Sequence, residues 1–194
     1  MNIGIDLDEV TADFFGALLK FYHKKKGKLY TKEDFTKFEW WPKIGANREE
    51  AIKIVDEFHE THNLEDVIPL EHAVDSILNL LKNHKLIVIT GRPLRFKAKT
   101  EQWVNHHIRA NIKIIHAGEF HKGQAETKAQ ICQKLKIPIL LEDAPETALD
   151  CANSGVKVIL FEMPWNRHIK HKNIIRVKNW LEAVEEIEHF KSIK

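Results

Sequence analysis

Two hydrophobic patterns alternate along the chain. Short unbroken apolar runs occur at Asn2–Ile5, Leu86–Ile89, Ile112–Ile115, Ile139–Leu141 and Val156–Leu160. Continuous Val/Ile/Leu runs mark strands buried on both faces, as in parallel sheets. Between them, apolar positions recur with helical spacing. In Glu71–Asn83, the residues Ala73, Ile77, Leu80 and Leu81 fall on one face. Phe96–Ile108, Thr127–Leu135, Pro145–Ser154 and Trp180–Phe190 are further predicted helices. Strand alternating with helix predicts an α/β fold whose parallel sheet is covered on both faces.

The stretch from about Val10 to Leu70 breaks this rhythm. It holds two helical patterns, Asp13–Lys24 and Arg48–His62, and an aromatic segment from Phe35 to Trp41, but no strong strand. Residues 11–70 are therefore expected to form a small helical cap inserted after the first strand. Residues 1–10 and 71–194 would make the core. The plainer alternative is a set of ordinary helices flanking one fold.

Composition adds limits. A chain of 194 residues, 43% hydrophobic and 30% charged, can bury one sizeable core with a small insert. A net charge of +2 gives no argument for a nucleic-acid polymer as partner, yet suits a small anion. No apolar run is long enough to span a bilayer, and the first one runs into Asp6 and Asp8, unlike a signal peptide. Cys132 and Cys151 are isolated, without zinc-site spacing, and are expected to be reduced thiols in the cytoplasm. A homodimer is left open.

Chemistry gathers at strand ends, where open α/β sheets place their ligands. Asp6 and Asp8 close the first apolar run. Acids leaving a buried strand need a cation, and magnesium takes oxygen ligands while keeping water and phosphate in its shell. One carboxylate can attack phosphorus, and a second can protonate the leaving oxygen and then activate water. After the second strand come Thr90, Gly91 and Arg92, a hydroxyl, a backbone N–H and a charge suited to phosphate oxygens. Lys128 opens a predicted helix and can neutralise nucleophile and phosphate together, with Lys99 a competitor. Glu142 and Asp143 end the fourth run; one can complete a magnesium site with Asp6 while the other orients a metal-bound water. Each element alone has a plain reading: a capped turn, a Gly/Pro turn, a surface lysine, a helix N-cap. Their order on successive structural units gives them joint weight.

In that order, Asp6/Asp8, Thr90, Lys128 and Glu142-Asp143, the chain resembles the haloacid dehalogenase superfamily of phosphatases over essentially its whole length. The resemblance implies a Rossmann-like core, magnesium, Asp6 as nucleophile and Asp8 as acid/base. It implies metal binding by Asp6, by Asp143 and by the Asp8 backbone carbonyl, with Glu142 in or near the layer behind them. Asp6-Leu-Asp-Glu-Val-Thr-Ala-Asp-Phe14, the aromatics around Trp40-Trp41 and Met163-Pro-Trp-Asn-Arg167 are similar to the 5'(3')-deoxyribonucleotidase family. There, cap aromatics surround the base, which would give Phe14, Trp40 and Trp41 that role. Stacking and a cap core of their own are both open for the two tryptophans, while Phe38 is expected in the core. Two departures stand out. Glu9 occupies a position where glycine is common, and Gly91-Arg92 follow Thr90 in place of Thr-Ser.

The expected function is magnesium-dependent hydrolysis of a small-molecule phosphomonoester, a (deoxy)ribonucleoside monophosphate by resemblance. Sugar or other metabolite phosphates are the alternative within the class, and a silent binding protein the alternative outside it. The 12 histidines lack partners at zinc-site spacing, and neither a phosphate-binding Gly-Lys loop nor a dinucleotide fingerprint is present.

Overall fold

The computed structural model describes residues 1–62, 64–117 and 126–192. Six strands, Asn2–Ile5 (β1), Lys85–Thr90 (β2), Lys113–His116 (β3), Ile139–Glu142 (β4), Lys157–Phe161 (β5) and Ile174–Val177 (β6), form one sheet. All pairings are parallel, in the order β3-β2-β1-β4-β5-β6. The five expected strands are present within a residue or so at each end. β6 is an addition: a four-residue edge strand whose run is interrupted by Arg176.

Strand alternation sorts the core onto the two faces. Ile3, Ile5, Leu86, Val88, Ile139 and Leu141 belong to one apolar cluster, with Trp103 and Trp180. Ile87, Ile89, Leu140, Val158 and Leu160 belong to the other. Helices Ala73–Leu80 (α3), Lys97–His107 (α4) and Trp180–Ser192 (α7) supply the first, and Lys128–Lys134 (α5) and Pro145–Asn153 (α6) the second. Two helices precede these in the chain, Phe14–Lys26 (α1) and Arg48–Thr61 (α2). α3 is shorter than the pattern predicts: it starts two residues later, after His72 in a left-handed conformation (φ 62°), and ends at Leu80. Gly4 lets β1 close on its neighbours: a Cβ there would stand 2.9 Å from the Leu140 side chain.

Residues 11–70 contain α1, α2 and short 3-10 turns at Lys32–Asp34, Trp41–Ile44 and Leu64–Asp66. The stretch leaves and re-enters beside the sheet, where the Asp13 N–H donates to Ile68 O and the Leu70 N–H to Thr11 O, both at 2.8 Å. Its buried residues, among them Phe15, Leu18, Tyr22, Phe35 and Phe58, join the cluster on the β1 face. β1 lies between β2 and β4, and the chain goes to the β2 side before it returns to β4. The crevice beyond the β1 and β4 carboxyl ends is thus the topological switch point.

Candidate active site

The loop after β1 is tightly braced. The Asp6 N–H donates to Leu141 O (3.0 Å), the Thr11 hydroxyl to Asp6 O (2.9 Å), and the Trp180 indole to Val10 O (2.7 Å). Asp6 Oδ1 accepts the Leu7 N–H at 2.8 Å and faces the Lys128 ammonium, also at 2.8 Å. Lys128 is the first residue of α5, whose N-terminus is capped by Thr127. Its ammonium also meets Glu142 Oε2 at 2.8 Å, and Glu142 Oε1 accepts the N–H groups of Asp143 and Ala144. Lys99 points elsewhere, donating to the backbone carbonyls of His59 and Glu60 at the end of α2. Lys128 is therefore the lysine beside Asp6.

Carboxylate oxygens of Asp6, Glu142 and Asp143 lie within 4.8 Å of one another, and all three residues are buried. Three carboxylates against one ammonium leave two uncompensated negative charges. Burial pushes the carboxyl groups of Asp6 and Asp143 well above the usual range. Burial would lower Lys128, but Asp6 and Glu142 outweigh it and raise the ammonium above its ordinary value. An all-oxygen cluster with this charge fits a hard divalent cation.

The second strand end carries Thr90, Gly91 and Arg92. Thr90 is fully buried, and its hydroxyl accepts the Arg92 N–H at 3.1 Å. The space before Gly91 is open. Arg92, expected to offer its charge to a phosphate, pairs with Asp8: Nε to Oδ2 at 2.9 Å and Nη2 to Oδ1 at 2.5 Å. The Phe14 ring lies 5.4 Å from its guanidinium. Phe14 in turn stacks on His59 (5.0 Å, 25°), which stacks on Phe96. Burial, helped by Arg92, pushes the His59 imidazole down to about 3.

These groups open into a cavity of about 590 Å³. Its lining combines the polar Asp6, Asp8, Lys128 and Asp143 with the apolar Phe14, Phe15, Leu18, Trp40, Trp41 and Val55. Trp40 packs on Phe15 and Trp41. Phe38 is a correction: 46% exposed, it stands on the cavity wall and not in a core, because the segment around it is turned outward. Trp165 and Asn166 have no role of their own that the sequence predicts. The Trp165 indole donates to Asp143 Oδ2 (3.1 Å), and the Asn166 amide donates to the carbonyls of Asp143 (2.8 Å) and Phe161 (2.7 Å). Their signal was the Met163–Arg167 segment, legible only as part of a resemblance.

The model of the family described as 5' nucleotidase, deoxy (Pyrimidine), cytosolic type C matches residues 1–192. The chain belongs to this nucleotidase family. It is a hydrolase of the phosphatase and nucleotidase class, of haloacid dehalogenase-like fold. Among curated relatives, the provisionally named nucleotidase YqfW of Bacillus subtilis (strain 168) is 29% identical over 190 residues, covering 95% of this chain and 92% of that one. A nucleotidase of Clostridium acetobutylicum is 25% identical over 188 residues, covering 94% and 91%. Among solved structures, a haloacid dehalogenase-like hydrolase from Streptococcus pneumoniae superposes with a TM-score of 0.69 at 14% identity, covering 96% and 97%. A hydrolase of that family from Deinococcus radiodurans R1, solved with phosphate and sodium, gives 0.66 at 11% identity over 97% and 95%. The family assignment agrees with the position of the acids at the switch point. Its substrate is a small phosphomonoester, as nucleotidase membership implies.

One family member's departure is structural as well as chemical. Glu9, at φ 59°, holds a left-handed backbone next to Asp8 and is buried. Its Oε1 accepts the Phe15 N–H at 2.6 Å, and its Oε2 pairs with Lys32. Burial pushes its carboxyl up to about 7 against the pull of Lys32, while Glu9 and Asp13 hold Lys32 above its usual value despite burial. The two directions oppose each other on one contact. The direct ion pair, with Asp13 as a second acid, favours the charged form of both partners.

Proposed function

We propose that the protein is a magnesium-dependent 5'-nucleotidase that cleaves (deoxy)ribonucleoside monophosphates through an aspartyl-phosphate on Asp6. The observation carrying this reading is the Asp6, Glu142 and Asp143 cluster around Lys128, opening into a cavity with an aromatic wall. Asp6, Asp143 and the Asp8 backbone carbonyl would hold magnesium, with Glu142 behind them. When bound, the ion supplies neutralising charge to the phosphate oxygens.

The chain's own residues do the rest. Asp6 attacks phosphorus in line while the bond to the leaving oxygen breaks, and Asp8 gives that oxygen its proton. Asp8 then takes a proton from the water that displaces Asp6 from phosphorus, releasing phosphate. A carboxylate has about four lone-pair sites, so the fork from Arg92 orients Asp8 and leaves capacity for that proton. Lys128 offsets the repulsion between Asp6 and the phosphate. The Thr90 hydroxyl and Gly91 N–H hold transferring oxygens, so the protein mainly positions and neutralises. Residues 11–70 act as a cap over the core of 1–10 and 71–194, with Phe14, Trp40 and Trp41 against the base. Free, buried Cys132 and Cys151 support a reducing, cytoplasmic setting.

The test is phosphate release from nucleoside monophosphates and sugar phosphates, with magnesium or with EDTA. Asp6→Asn should abolish magnesium-dependent release; retained turnover would refute the mechanism.

A further inference from the structure

Glu9 occupies a backbone conformation that disfavours any side chain with a Cβ (φ 59°). Its carboxylate is nonetheless built into three elements. It follows Asp8 in the loop. It receives the Phe15 N–H in the first turn of α1, where the N-cap residue Asp13 makes no side-chain cap bond. It pairs with Lys32, which also meets Asp13 at 2.6 Å.

Both tethered elements form the aromatic wall. Phe15 touches Phe35 (5.0 Å), Trp40 (5.9 Å) and Trp165 (5.6 Å) between ring centroids, and Trp165 donates to Asp143. Lys32 opens the turn Lys32–Asp34, which leads straight into Phe35 and on to Trp40 and Trp41. With one oxygen on an N–H and the other on Lys32, Glu9 acts through its neighbours.

We propose that Glu9 is a specificity-determining positioning residue: with Lys32 it anchors the 31–41 arm and Phe15 to the catalytic loop, and so sets the gap between aromatic wall and Asp6. The inference deepens the nucleotidase reading and rests on it for the identity of the leaving group. A loosened arm should weaken binding of a leaving group that reaches the wall. It should leave alone a phosphomonoester too small to touch it.

Lys32→Met breaks the anchor from outside the cavity and keeps the Phe15 N–H bond to Glu9. The KM for a nucleoside 5'-monophosphate should rise about five- to tenfold, while that for glycerol 2-phosphate moves less than about twofold. Amide exchange in residues 31–41 should quicken, and Lys32→Arg should restore both readouts. Glu9→Gly, in a backbone that suits glycine, should split the two KM values in the same direction. Proportional changes in both KM values, unchanged exchange, or a loosened arm with an unchanged nucleotide KM would each overturn the proposal. A wild-type enzyme that cleaves no nucleoside monophosphate would sink the nucleotidase reading instead. Exchange, and the KM split between the bulky and small phosphates it does cleave, would still decide the anchor.

Discussion

Replacing Lys128 by methionine tests the electrostatic logic of the site apart from catalysis. The side chain keeps most of its apolar stem, and the loss is the ammonium between Asp6 and Glu142, 2.8 Å from each. At an effective dielectric of about 20 and this separation, each pair is worth on the order of 6 kcal/mol of gross attraction. Relief of the buried ammonium's desolvation returns several kcal/mol, so the net loss should be about 3–5 kcal/mol, the usual cost of stranding a buried charge. For a domain of this size that is a fall in Tm of roughly 6–20 °C, at about 2–4 °C per kcal/mol. Melting followed by circular dichroism in EDTA at pH 7.5 measures it. The pH sign follows from Asp6 and Asp143, whose carboxyls burial raises. Above the ordinary carboxylate range and below those raised values the native state holds more protons than the unfolded one. Stability therefore falls as pH rises through that window. Without Lys128 the window extends upward, and the deficit of the variant should shrink between pH 7.5 and 5.5. Adding Glu142→Gln removes one stranded charge, and the double variant should recover about 1–3 kcal/mol relative to additivity. A Lys128→Met protein that melts within about 2 °C of wild type, or strict additivity with Glu142→Gln, would refute the reasoning.

Arg92→Ala should lower kcat and kcat/KM together by about 10²–10³, since it would release Asp8, the acid/base of the proposed mechanism, from its position. Arg92→Lys should not rescue it, because one ammonium cannot reproduce the fork onto both Asp8 oxygens. A rise in KM alone would mean that Arg92 binds phosphate after all. His59 titrates near 3 when folded and near 6.5 when unfolded, so protons favour the unfolded chain and stability is lost as pH falls through that window. Between pH 6.5 and 5 the wild type should lose about 2 kcal/mol from this residue, read by urea unfolding, and His59→Phe should remove that part of the slope. Trp41→Ala should raise the KM for nucleotides about tenfold more than that for glycerol 2-phosphate; equal effects would remove base stacking by this residue.

The elements most legible in the sequence are those whose environment is uniform. β1, β2, β4 and β5 are covered on both faces, so they are without polar residues between their ends, and the acids at the carboxyl ends of β1 and β4 stand out against them. β6 escapes because an edge strand needs no such purity: its Arg176 turns to the Asn166 side chain at 2.6 Å. Boundaries drift where a single residue decides them, as His72 does for the start of α3.

The site divides along the same line. Asp6 and Asp143 are fixed by their own strands, so position in sequence is almost position in space. The Asp8 carboxylate depends on Arg92, 84 residues away, and no local pattern distinguishes an arginine aimed at phosphate from one aimed at a carboxylate. Glu9 is the intermediate case. Its oddity is visible in the sequence, as an acid where a glycine is common, but its meaning lies in Lys32, which in sequence is one more lysine on a lysine-rich chain. A residue that breaks a backbone preference and is kept in place by buried partners stores information about function that composition cannot carry. That is why the acids at the strand ends are legible in the sequence, while the proposed control of substrate choice lies in the contacts between the loop after β1 and the 31–41 arm.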